Sequence, residues 1–438
     1  MKNKNRQRPN KRSGRPSGTV AIVGLGYVGL PLACLASEKG WRVFGIARDP
    51  KKIAQINAGV SPVPEAALNR WLKRVNVIAT DDFSVVRKAS IIVVAVPTPV
   101  DEFYNPDLTP IRNACEGIRP FLRRGQTVIL ESTVNPGVCE EVIKPILEKS
   151  RFRVGRNIFL AHCPERIDPG NRRWTVRNIP RVLGATDQSG LSRALAFYQG
   201  IIEAPIKPMR SIKEAEAVKI FENSFRDVNI AFVNEMAKSF SRLGIDTLDV
   251  IAGAKTKPFA FLAHYPAAGI GGHCIPVDPY YLIERAKRSG FEHEFLKLAR
   301  QINNSMPAYT VDLLIHVLNE QKIALNAVRV GILGLAYKAN VADTRESPSF
   351  KVISILKEYG SKFEIFDPRV PLQSTVRTLT ELLKKCRALI LMTDHEEFRH
   401  LDPRRLKQRG IVAIIDGKNA LDKERFLRAG IAYRGIGR

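Results

Sequence analysis

Short apolar runs alternate with amphipathic stretches along the first half of the chain. They lie at 19–24, 41–46, 91–96, 127–130 and 157–161, and each is bounded by glycine, proline or charged residues. Short aliphatic runs with such boundaries are typical of strands that are buried on both faces of a parallel sheet. The alternation therefore predicts a doubly wound α/β domain in this part of the chain.

A long helical pattern follows at 211–243, where neither proline nor glycine interrupts the chain. Large apolar residues recur in it at intervals of three and four, namely Val218, Phe221, Phe225, Val228 and Phe232. This spacing predicts one long helix whose broad apolar face is buried. Helices of such length commonly form a spine between domains or a subunit interface.

After a loop-rich segment at 255–281 and more helix, short apolar runs resume at 328–333, 362–366, 388–392 and 411–415. They predict a second, smaller α/β unit. The expected fold class is α/β, with two Rossmann-like doubly wound domains joined by a long helix and a helical middle domain. The expected divisions are a basic tail at 1–18, a dinucleotide-binding domain at 19–210, a central helical dimerisation domain at 211–322 and a C-terminal Rossmann-like domain at 323–438.

The formal net charge of +26 over 438 residues bears on whether the chain binds nucleic acid or other anions. Residues 1–18 carry seven lysines and arginines and no acid, which predicts a disordered basic tail. The remaining excess is spread along the chain without a nucleic-acid-binding motif, so we expect no specific nucleic-acid partner. It is either a general surface property or a means of steering anionic substrates such as phosphates.

No apolar run approaches the roughly 20 residues that span a bilayer, and the basic N-terminus is followed by a glycine-rich strand and turn. The sequence therefore predicts a cytoplasmic protein without a membrane partner. The six cysteines show no C-x-x-C pair and no paired spacing with histidine. That pattern argues against a zinc site and against a disulfide framework, and it leaves each cysteine as either a core residue or a nucleophile.

A glycine-rich turn directly follows the first predicted strand. It reads Gly24-Leu25-Gly26-Tyr27-Val28-Gly29. Glycines at these positions permit a tight turn, close approach of the backbone to a pyrophosphate, and packing of the next helix on the strand. The pattern alone also fits a plain turn or a methyltransferase loop, but its place at the start of a βαβ unit predicts dinucleotide binding.

The second predicted strand lacks the acidic residue that usually binds the adenosine ribose at its end. Ala47 occupies that position, and Arg48 and Asp49 follow. Arg48 would pair with a 2′-phosphate and favour NADP, whereas Asp49 would reach the ribose in a wider turn. A turn that only faces solvent is the third interpretation. The cofactor expected is NAD, with NADP as the alternative.

A cysteine lies in a loop rich in glycine and proline. The loop reads Gly271-Gly272-His273-Cys274-Ile275-Pro276-Val277-Asp278-Pro279. A lone cysteine is usually a small buried residue, but the paired glycines let a ligand approach the backbone, which favours a nucleophile. On the long helix, Lys219 and Asn223 are four residues apart and share a face. Unless that helix face packs against the cysteine loop, these two side chains are expected to form a solvated edge of the helix.

These residues together resemble the nucleotide-sugar 6-dehydrogenases, and the likeness covers nearly all of residues 19–438. Its signatures are the glycine turn, Val96-Pro97-Thr98-Pro99, Glu131-Ser132-Thr133-Val134, Cys163-Pro164-Glu165-Arg166, the stretch around Lys219 and Asn223, the cysteine loop, Gly334-Leu335-Ala336-Tyr337-Lys338 and Thr344-Arg345-Glu346-Ser347-Pro348. The stretches at 165–171 and 256–259 resemble the UDP-N-acetylhexosamine branch of this family more than the UDP-glucose branch. Residues 266–269 read Pro-Ala-Ala-Gly where that branch usually has Pro-Gly-Pro-Gly, which leaves the exact sugar open.

The resemblance implies a two-step, NAD-dependent oxidation of C6 in UDP-N-acetylglucosamine or UDP-N-acetylmannosamine, feeding surface polysaccharide synthesis. A hydride leaves the alcohol, Cys274 traps the aldehyde as a thiohemiacetal, a second hydride transfer gives a thioester, and water releases the carboxylate. By this resemblance Lys219 and Asn223 stabilise the oxyanion and Asp278 moves protons through a water. Thr133 and Glu165 order that water and take part in hydrolysis.

The resemblance also implies two sets of binding residues and no metal. The cofactor set is Gly24, Gly26, Tyr27, Val28, Gly29, Arg48, Asp49, Pro97, Thr98 and Thr133. The substrate set is Glu165, Arg166, Lys219, Asn223, Lys257, Tyr265, Gly271, Lys338 and Arg345. A homodimer or larger homo-oligomer is expected, with Lys257 reaching across from another subunit.

Three alternatives remain at this point. A UDP-glucose 6-dehydrogenase would share the whole mechanism. A single-step β-hydroxyacid dehydrogenase would share the first domain and the helical middle, but it has no catalytic thiol and makes no use of a second α/β half. A non-catalytic protein that binds nucleotide sugars or nucleic acid would keep the fold and the basic tail but would not need Cys274. The intact set of motifs argues against this last class.

Overall fold

The computed structural model of the chain describes residues 18–63, 65–101, 105–168, 171 and 173–438. It divides into two compact units, one formed by Met1–Thr98 with Asp107–Lys219 and the other by Pro99–Pro106 with Ile220–Arg438. The basic tail predicted at 1–18 lies, apart from Gly18, outside the described residues. No helix within the described ranges is both long enough and apolar enough to cross a membrane.

The first unit is built on an eight-stranded sheet in the order β3-β2-β1-β4-β5-β6-β7-β8. Its strands are β1 (Thr19–Val23), β2 (Arg42–Ile46), β3 (Val77–Thr80), β4 (Ile91–Val94), β5 (Thr127–Leu130), β6 (Phe159–His162), β7 (Arg181–Ala185) and β8 (Ile206–Pro208). Neighbouring strands are parallel except β6 and β7, which are antiparallel. The five strands predicted in this part of the sequence are all present, with ends that differ by one or two residues.

Both faces of this sheet are covered, which explains why its strands read as continuous apolar runs. Its helices are α1 (Gly29–Glu38), α2 (Pro50–Asn57), α3 (Ala66–Leu72), α4 (Thr109–Ile118), a π-helical turn (Cys139–Ile143), α5 (Lys144–Glu148) and α6 (Gln188–Ile201), with short 3-10 turns at Phe83–Lys88 and Arg119–Phe121. Val20 and Ile22 of β1 pack into one core with α1 and α6. Ala21 and Val23 point to the opposite face and pack with α4 and α5.

The long helix α7 (Ile212–Arg242) has the predicted length but not the predicted burial. Phe221, Phe225 and Phe232 are 71%, 45% and 57% exposed. Half of the buried positions of the helix are polar, and these include Glu216, Lys219, Asn223, Asp227 and Asn234. The prediction of a buried apolar face is therefore wrong for the single chain. Periodicity shows which residues share a helix face, but not whether that face packs against the same chain.

The second unit is built on a five-stranded parallel sheet in the order β10-β9-β11-β12-β13. Its strands are β9 (Arg329–Leu333), β10 (Lys362–Phe366), β11 (Ala388–Leu391), β12 (Ala413–Asp416) and β13 (Ala432–Gly435). Its helices after α7 are α8 (Thr247–Ala254), α9 (Asp278–Arg288), α10 (Glu294–Glu320), α11 (Pro348–Glu358), α12 (Leu379–Lys385), α13 (Glu396–Arg399), α14 (Pro403–Gln408) and α15 (Lys423–Arg428), with 3-10 turns at Leu325–Ala327 and Pro371–Gln373. The second α/β unit and the helical region before it are thus as predicted.

Candidate active site

The three glycines of the first turn differ in the space available at their Cβ positions. Gly24 has φ +98°, and a Cβ atom there would lie 2.5 Å from the carbonyl oxygen of Ala95. A Cβ atom on Gly29, where α1 begins, would lie 1.9 Å from the oxygen of Gly24. At Gly26 no heavy atom of the described residues lies within 4 Å of the Cβ position. The turn and the helix packing thus account for two glycines, and the space at the third fits the pyrophosphate of a dinucleotide beside the N-terminus of α1.

The residues after β2 differ in what they contact. Asp49 caps α2, because its Oδ1 accepts a hydrogen bond from the backbone N–H of Lys51 at 2.9 Å. The side chain of Arg48 is exposed, and Ala47 is half-buried. Asp49 therefore has a structural role that the sequence did not indicate, while Arg48 is accessible to a ligand.

The loops after β4 and β5 are joined at the carboxyl edge of the sheet. Ser132 Oγ donates to the carbonyl oxygen of Val96 at 2.7 Å. Pro97 and Thr98 follow Val96, and Thr133 follows Ser132. The order of strands reverses between β1 and β4, where open α/β sheets bind their ligands. The structure therefore brings Pro97, Thr98 and Thr133 to the edge that carries the glycine turn.

Glu165 follows β6 and is held by several hydrogen bonds. Its Oε1 accepts from the backbone N–H groups of Arg166 and Ile167, both at 2.7 Å. Its Oε2 accepts from the guanidinium of Arg181, which is fully buried. A buried carboxylate with three donors has one fixed orientation. Arg166 itself donates to the carbonyl oxygen of Pro180 at 3.0 Å.

Arg181 and Tyr198 belong to this cluster and were not indicated by the sequence. Arg181 Nη1 donates to Glu131 Oε1 at 2.9 Å, and the hydroxyl of Tyr198 donates to the same oxygen at 2.6 Å. Burial raises the pKa of Glu131, and the neighbouring Arg181 opposes that rise. Arg181 opens β7, a strand that the sequence did not predict. The one available signal was Glu131 itself, an acid at the end of an apolar strand.

Cys274 differs from every other cysteine of the chain because its residue is exposed, whereas the other five are buried. Burial raises the pKa of the thiols of Cys34, Cys115, Cys163 and Cys386 to about 12. A thiol that stays protonated is a poor nucleophile. The accessible thiol in the glycine loop is therefore the one suited to covalent chemistry.

The second unit brings Asn223 and Asp278 next to the cysteine loop. Asn223 Nδ2 of α7 donates to Asp278 Oδ2 at 2.5 Å, and both residues are buried. The backbone N–H of Asp278 donates to the carbonyl oxygen of Cys274 at 2.8 Å. Lys219 lies one turn before Asn223 on α7 and is also buried. The helix face that carries Lys219 and Asn223 is thus not a solvated edge.

The cysteine loop also packs on the signature strings of the C-terminal half. A Cβ atom on Gly271 would lie 2.6 Å from Cβ of Tyr337, so only glycine fits there. The N–H of Gly272 donates to the carbonyl oxygen of Arg345 at 3.0 Å. These contacts bring Gly271 and Cys274 close to the segment that carries Lys338.

The remaining cationic residues of the predicted substrate set differ in their surroundings. The guanidinium of Arg345 forms a forked pair with Asp343, at 2.6 Å for the shortest contact. Lys338 is half-buried, whereas Lys257 and Tyr265 are exposed. The ammonium of Lys257 lies 4.9 Å from the ring centroid of Phe259, and both follow α8. Lys257 is therefore at a surface that a second chain or a ligand can reach.

Three sequence models of one family match the chain. Residues 18–202 match the NAD binding domain of the UDP-glucose/GDP-mannose dehydrogenase family, residues 213–305 its central domain, and residues 331–423 its UDP binding domain.

Individual proteins are similar over almost the whole length. A UDP-N-acetyl-D-glucosamine 6-dehydrogenase of Pseudomonas aeruginosa is 35% identical over 415 residues, which cover 93% of this chain and 98% of the relative. The solved structure of a UDP-D-ManNAc dehydrogenase from Pyrococcus horikoshii has a TM-score of 0.90 at 32% identity, covering 96% of this chain and 99% of that one. A UDP-glucose dehydrogenase from Pyrobaculum islandicum has a TM-score of 0.86 at 28% identity, covering 97% and 99%. The predicted α/β fold class and the resemblance stated from the motifs are confirmed.

Proposed function

The chain belongs to the UDP-glucose/GDP-mannose dehydrogenase family, and we propose that it oxidises C6 of a UDP-N-acetylhexosamine to a carboxylate with NAD. The observation that carries this proposal is the exposed Cys274 in a glycine loop, together with Asp278, whose backbone binds that of Cys274 and whose side chain binds Asn223. An alcohol can be taken to a carboxylate in one site only if the intermediate aldehyde is retained, and a thiol retains it covalently.

The sugar is proposed from the relatives. The Pseudomonas aeruginosa relative is named for UDP-N-acetyl-D-glucosamine and the Pyrococcus horikoshii structure for UDP-D-ManNAc. We therefore propose UDP-N-acetylglucosamine or UDP-N-acetylmannosamine as the substrate. UDP-glucose is the second candidate, because the UDP-glucose dehydrogenase of Pyrobaculum islandicum has a similar fold and residues 266–269 depart from the N-acetylhexosamine pattern.

The turn at Gly24, Gly26 and Gly29 would hold the dinucleotide with Tyr27, Val28, Pro97, Thr98 and Thr133. Each oxidation step would need one NAD as hydride acceptor, so a second NAD would replace the NADH formed in the first step. Cys274 Sγ would add to the aldehyde carbon, so that a C–S bond forms and the carbonyl oxygen gains negative charge. The amide of Asn223 and the ammonium of Lys219 would donate to that oxygen. The C–S bond would break when water adds to the thioester carbon and the sulfur leaves as thiolate.

Asp278 is the proposed proton carrier. Its Oδ2 accepts from Asn223, so the same hydrogen bond holds the carboxylate and the amide in a fixed arrangement. Its position at the start of α9 ties it to the backbone of Cys274. We propose that this carboxylate receives protons from a water near the thiol, and that Thr133 and Glu165 order the hydrolytic water.

Binding of the substrate is proposed to use residues from several segments. The proposed contacts to the nucleotide sugar are Arg166, Lys257, Tyr265, Gly271, Lys338 and Arg345, with Glu165, Lys219 and Asn223 nearer the reacting carbon.

The proposed domain divisions remain 19–210, 211–322 and 323–438. The absence of disulfides among the six cysteines, all within the described residues, supports a location in the cytoplasm.

A homodimer is proposed from α7. Its exposed aromatic residues Phe221, Phe225 and Phe232 recur at intervals of four and seven and lie on one face. Clustered exposed aromatic residues mark interaction surfaces. Phe225→Ser should convert the dimer to a monomer in size-exclusion chromatography with light scattering, whereas Phe350→Ser, which changes a similarly exposed residue of α11, should not. A wild-type monomer would contradict the proposal.

The activity is tested by reduced-nicotinamide absorbance with UDP-N-acetylglucosamine, UDP-N-acetylmannosamine and UDP-glucose, each with NAD or NADP. We expect turnover with one N-acetylhexosamine and NAD. Cys274→Ser should abolish net turnover, because a serine ester forms and hydrolyses poorly. Cys386→Ala, which removes a buried thiol of the same unit, is the matched control and should retain activity. Near wild-type uronate production by Cys274→Ser would refute the covalent mechanism.

A further inference from the structure

The second unit contains a turn with the same backbone geometry as the glycine turn of the first. Gly334 follows β9 with φ +97°, as Gly24 follows β1 with φ +98°. The N–H of Gly334 donates to the last carbonyl of β10, that of Phe366, at 2.9 Å. The N–H of Gly24 donates to the last carbonyl of β2, that of Ile46, also at 2.9 Å. The two turns are therefore equivalent elements of the two sheets.

The two turns differ in what occupies them. The residue after β2 is Ala47, and the space beside Gly26 is open among the described residues. The residue after β10 is Asp367, whose Oδ2 accepts from the backbone N–H groups of Leu335 at 2.6 Å and Ala336 at 2.8 Å. Successive backbone N–H groups in such a turn are the donors that commonly bind a nucleotide phosphate. A side-chain carboxylate thus already engages two successive backbone N–H groups of this turn.

Asp367 is fully buried, and both of its oxygens are engaged. Oδ1 accepts from the N–H groups of Arg369 at 2.7 Å and Val370 at 3.2 Å, and His395 Nε2 lies 3.2 Å from Oδ2. Burial by itself raises the pKa of Asp367, but the hydrogen bonds from His395 and from the turn outweigh it and lower the pKa to about 2. The carboxylate is therefore ionised, as a phosphate in this place would be.

His395 extends this arrangement along the turn. Its Nδ1 accepts from the backbone N–H of Asn340 at 2.9 Å, so in the neutral ring the proton lies on Nε2 and points to Asp367. Asp367 thereby fixes the start of the segment 335–340 and His395 fixes its end. Lys338 lies between the two fixed points.

The same segment supports the cysteine loop. Tyr337 is adjacent to Lys338, and a Cβ atom on Gly271 or Gly272 would lie 2.6 Å or 2.8 Å from its side chain. By fixing this segment, the pair Asp367–His395 therefore sets both the position of Lys338 and the surface that packs against the loop of Cys274.

We propose that Asp367 is a built-in replacement for a nucleotide phosphate in the second turn, and that the Asp367–His395 pair positions Lys338 for the diphosphate of the substrate. Two consequences follow. The second turn accepts no dinucleotide pyrophosphate, and the diphosphate of the nucleotide sugar is bound by side chains rather than by the turn. Asp367 and His395 are positioning residues, and the inference rests on the proposed function only in taking a UDP-sugar as the ligand.

The test is isothermal titration of the full-length chain with UDP and, separately, with NAD. In Asp367→Ala the turn loses its anion, so the affinity for UDP should fall by about tenfold or more, the scale of one lost charged hydrogen bond. The affinity for NAD, which binds the first turn, should stay unchanged. Added formate supplies a small carboxylate to the vacated position and should restore UDP binding, whereas chloride at equal ionic strength should not.

Two further variants complete the test. Asp402→Ala removes a half-buried aspartate that caps α14 in the same sheet domain, and it should leave UDP binding unchanged. His395→Gln has no acceptor atom at the position of Nδ1, which binds the N–H of Asn340, and it should weaken UDP binding with NAD binding intact. This variant tests the same point if Asp367→Ala does not fold. Unchanged UDP affinity in a folded Asp367→Ala or His395→Gln would overturn the proposal. Two NAD molecules bound per wild-type chain would overturn it as well. Neither titration requires turnover, so a chain that binds both ligands but oxidises no sugar refutes the proposed function alone.

Discussion

Replacing Gly26 by alanine tests the cofactor site with little disturbance of the fold. No described heavy atom lies within 4 Å of its Cβ position, and its φ is not among the positive values of the chain. An added methyl group therefore meets neither backbone strain nor a side chain from beyond the two adjacent residues. We expect the free energy of unfolding of Gly26→Ala to stay within about 0.5 kcal/mol of wild type, as for surface substitutions in general.

The effect on NAD binding should be much larger. The methyl group would stand where the backbone approaches the pyrophosphate, and it would lengthen at least one hydrogen bond to a charged oxygen. Such a bond contributes about 1.5–3 kcal/mol. The dissociation constant for NAD should therefore rise by roughly 10- to 100-fold.

Gly29→Ala is the matched contrast in the same turn. Its Cβ atom would lie 1.9 Å from a backbone oxygen, so α1 must shift away from the sheet. Overpacking of this kind costs about 1–3 kcal/mol. Titration with NAD and thermal unfolding, measured on both variants, separate the two effects. If Gly26→Ala binds NAD like wild type, or if it unfolds as early as Gly29→Ala, the assignment of the open space to the cofactor is wrong.

Two other predictions concern the thiols and the choice of cofactor. Iodoacetamide at neutral pH should alkylate Cys274 of the folded chain much faster than the other five cysteines, because these are buried. Peptide mass spectrometry measures the modification of each cysteine. Rapid modification of a second cysteine would contradict the structure. Arg48→Ala should selectively weaken use of NADP, by about 2 kcal/mol in kcat/KM if the exposed guanidinium binds the 2′-phosphate. An equal loss for both cofactors, or none, would show that Arg48 has no part in the choice.

The fold was largely predictable because strands buried on both faces of a parallel sheet read as apolar runs. Four strands were missed, namely β3, β7, β8 and β13, and of these β7 and β13 break this rule. Arg181 opens β7 with a buried charge, and β13 reads Ala-Tyr-Arg-Gly, with only every second residue buried. The burial of α7 could not be predicted either, since its spacing placed Phe221 and Phe225 on one face without showing that the chain itself leaves this face uncovered.

The sequence predicts the candidate site as a set of positions, and its contacts could not be predicted. Cys274 was indicated by its glycine neighbours, and the structure places it at the surface. The pairing of Asn223 with Asp278 joins residues 55 positions apart, and the turn of the second sheet is filled by an aspartate from the next strand. Such contacts depend on the three-dimensional crossing of distant segments, for which local sequence patterns carry no signal.

The most direct test of the proposed covalent, two-step oxidation is the amount of NADH formed per sugar consumed. The reaction is run to completion with limiting UDP-N-acetylhexosamine and excess NAD. NADH is read by its absorbance, and the remaining and oxidised sugar nucleotides are separated by chromatography. If Cys274 retains the aldehyde for a second oxidation, each molecule consumed yields two NADH and one uronate, without free aldehyde. A ratio of one NADH per sugar would contradict the account and favour a single-step dehydrogenase.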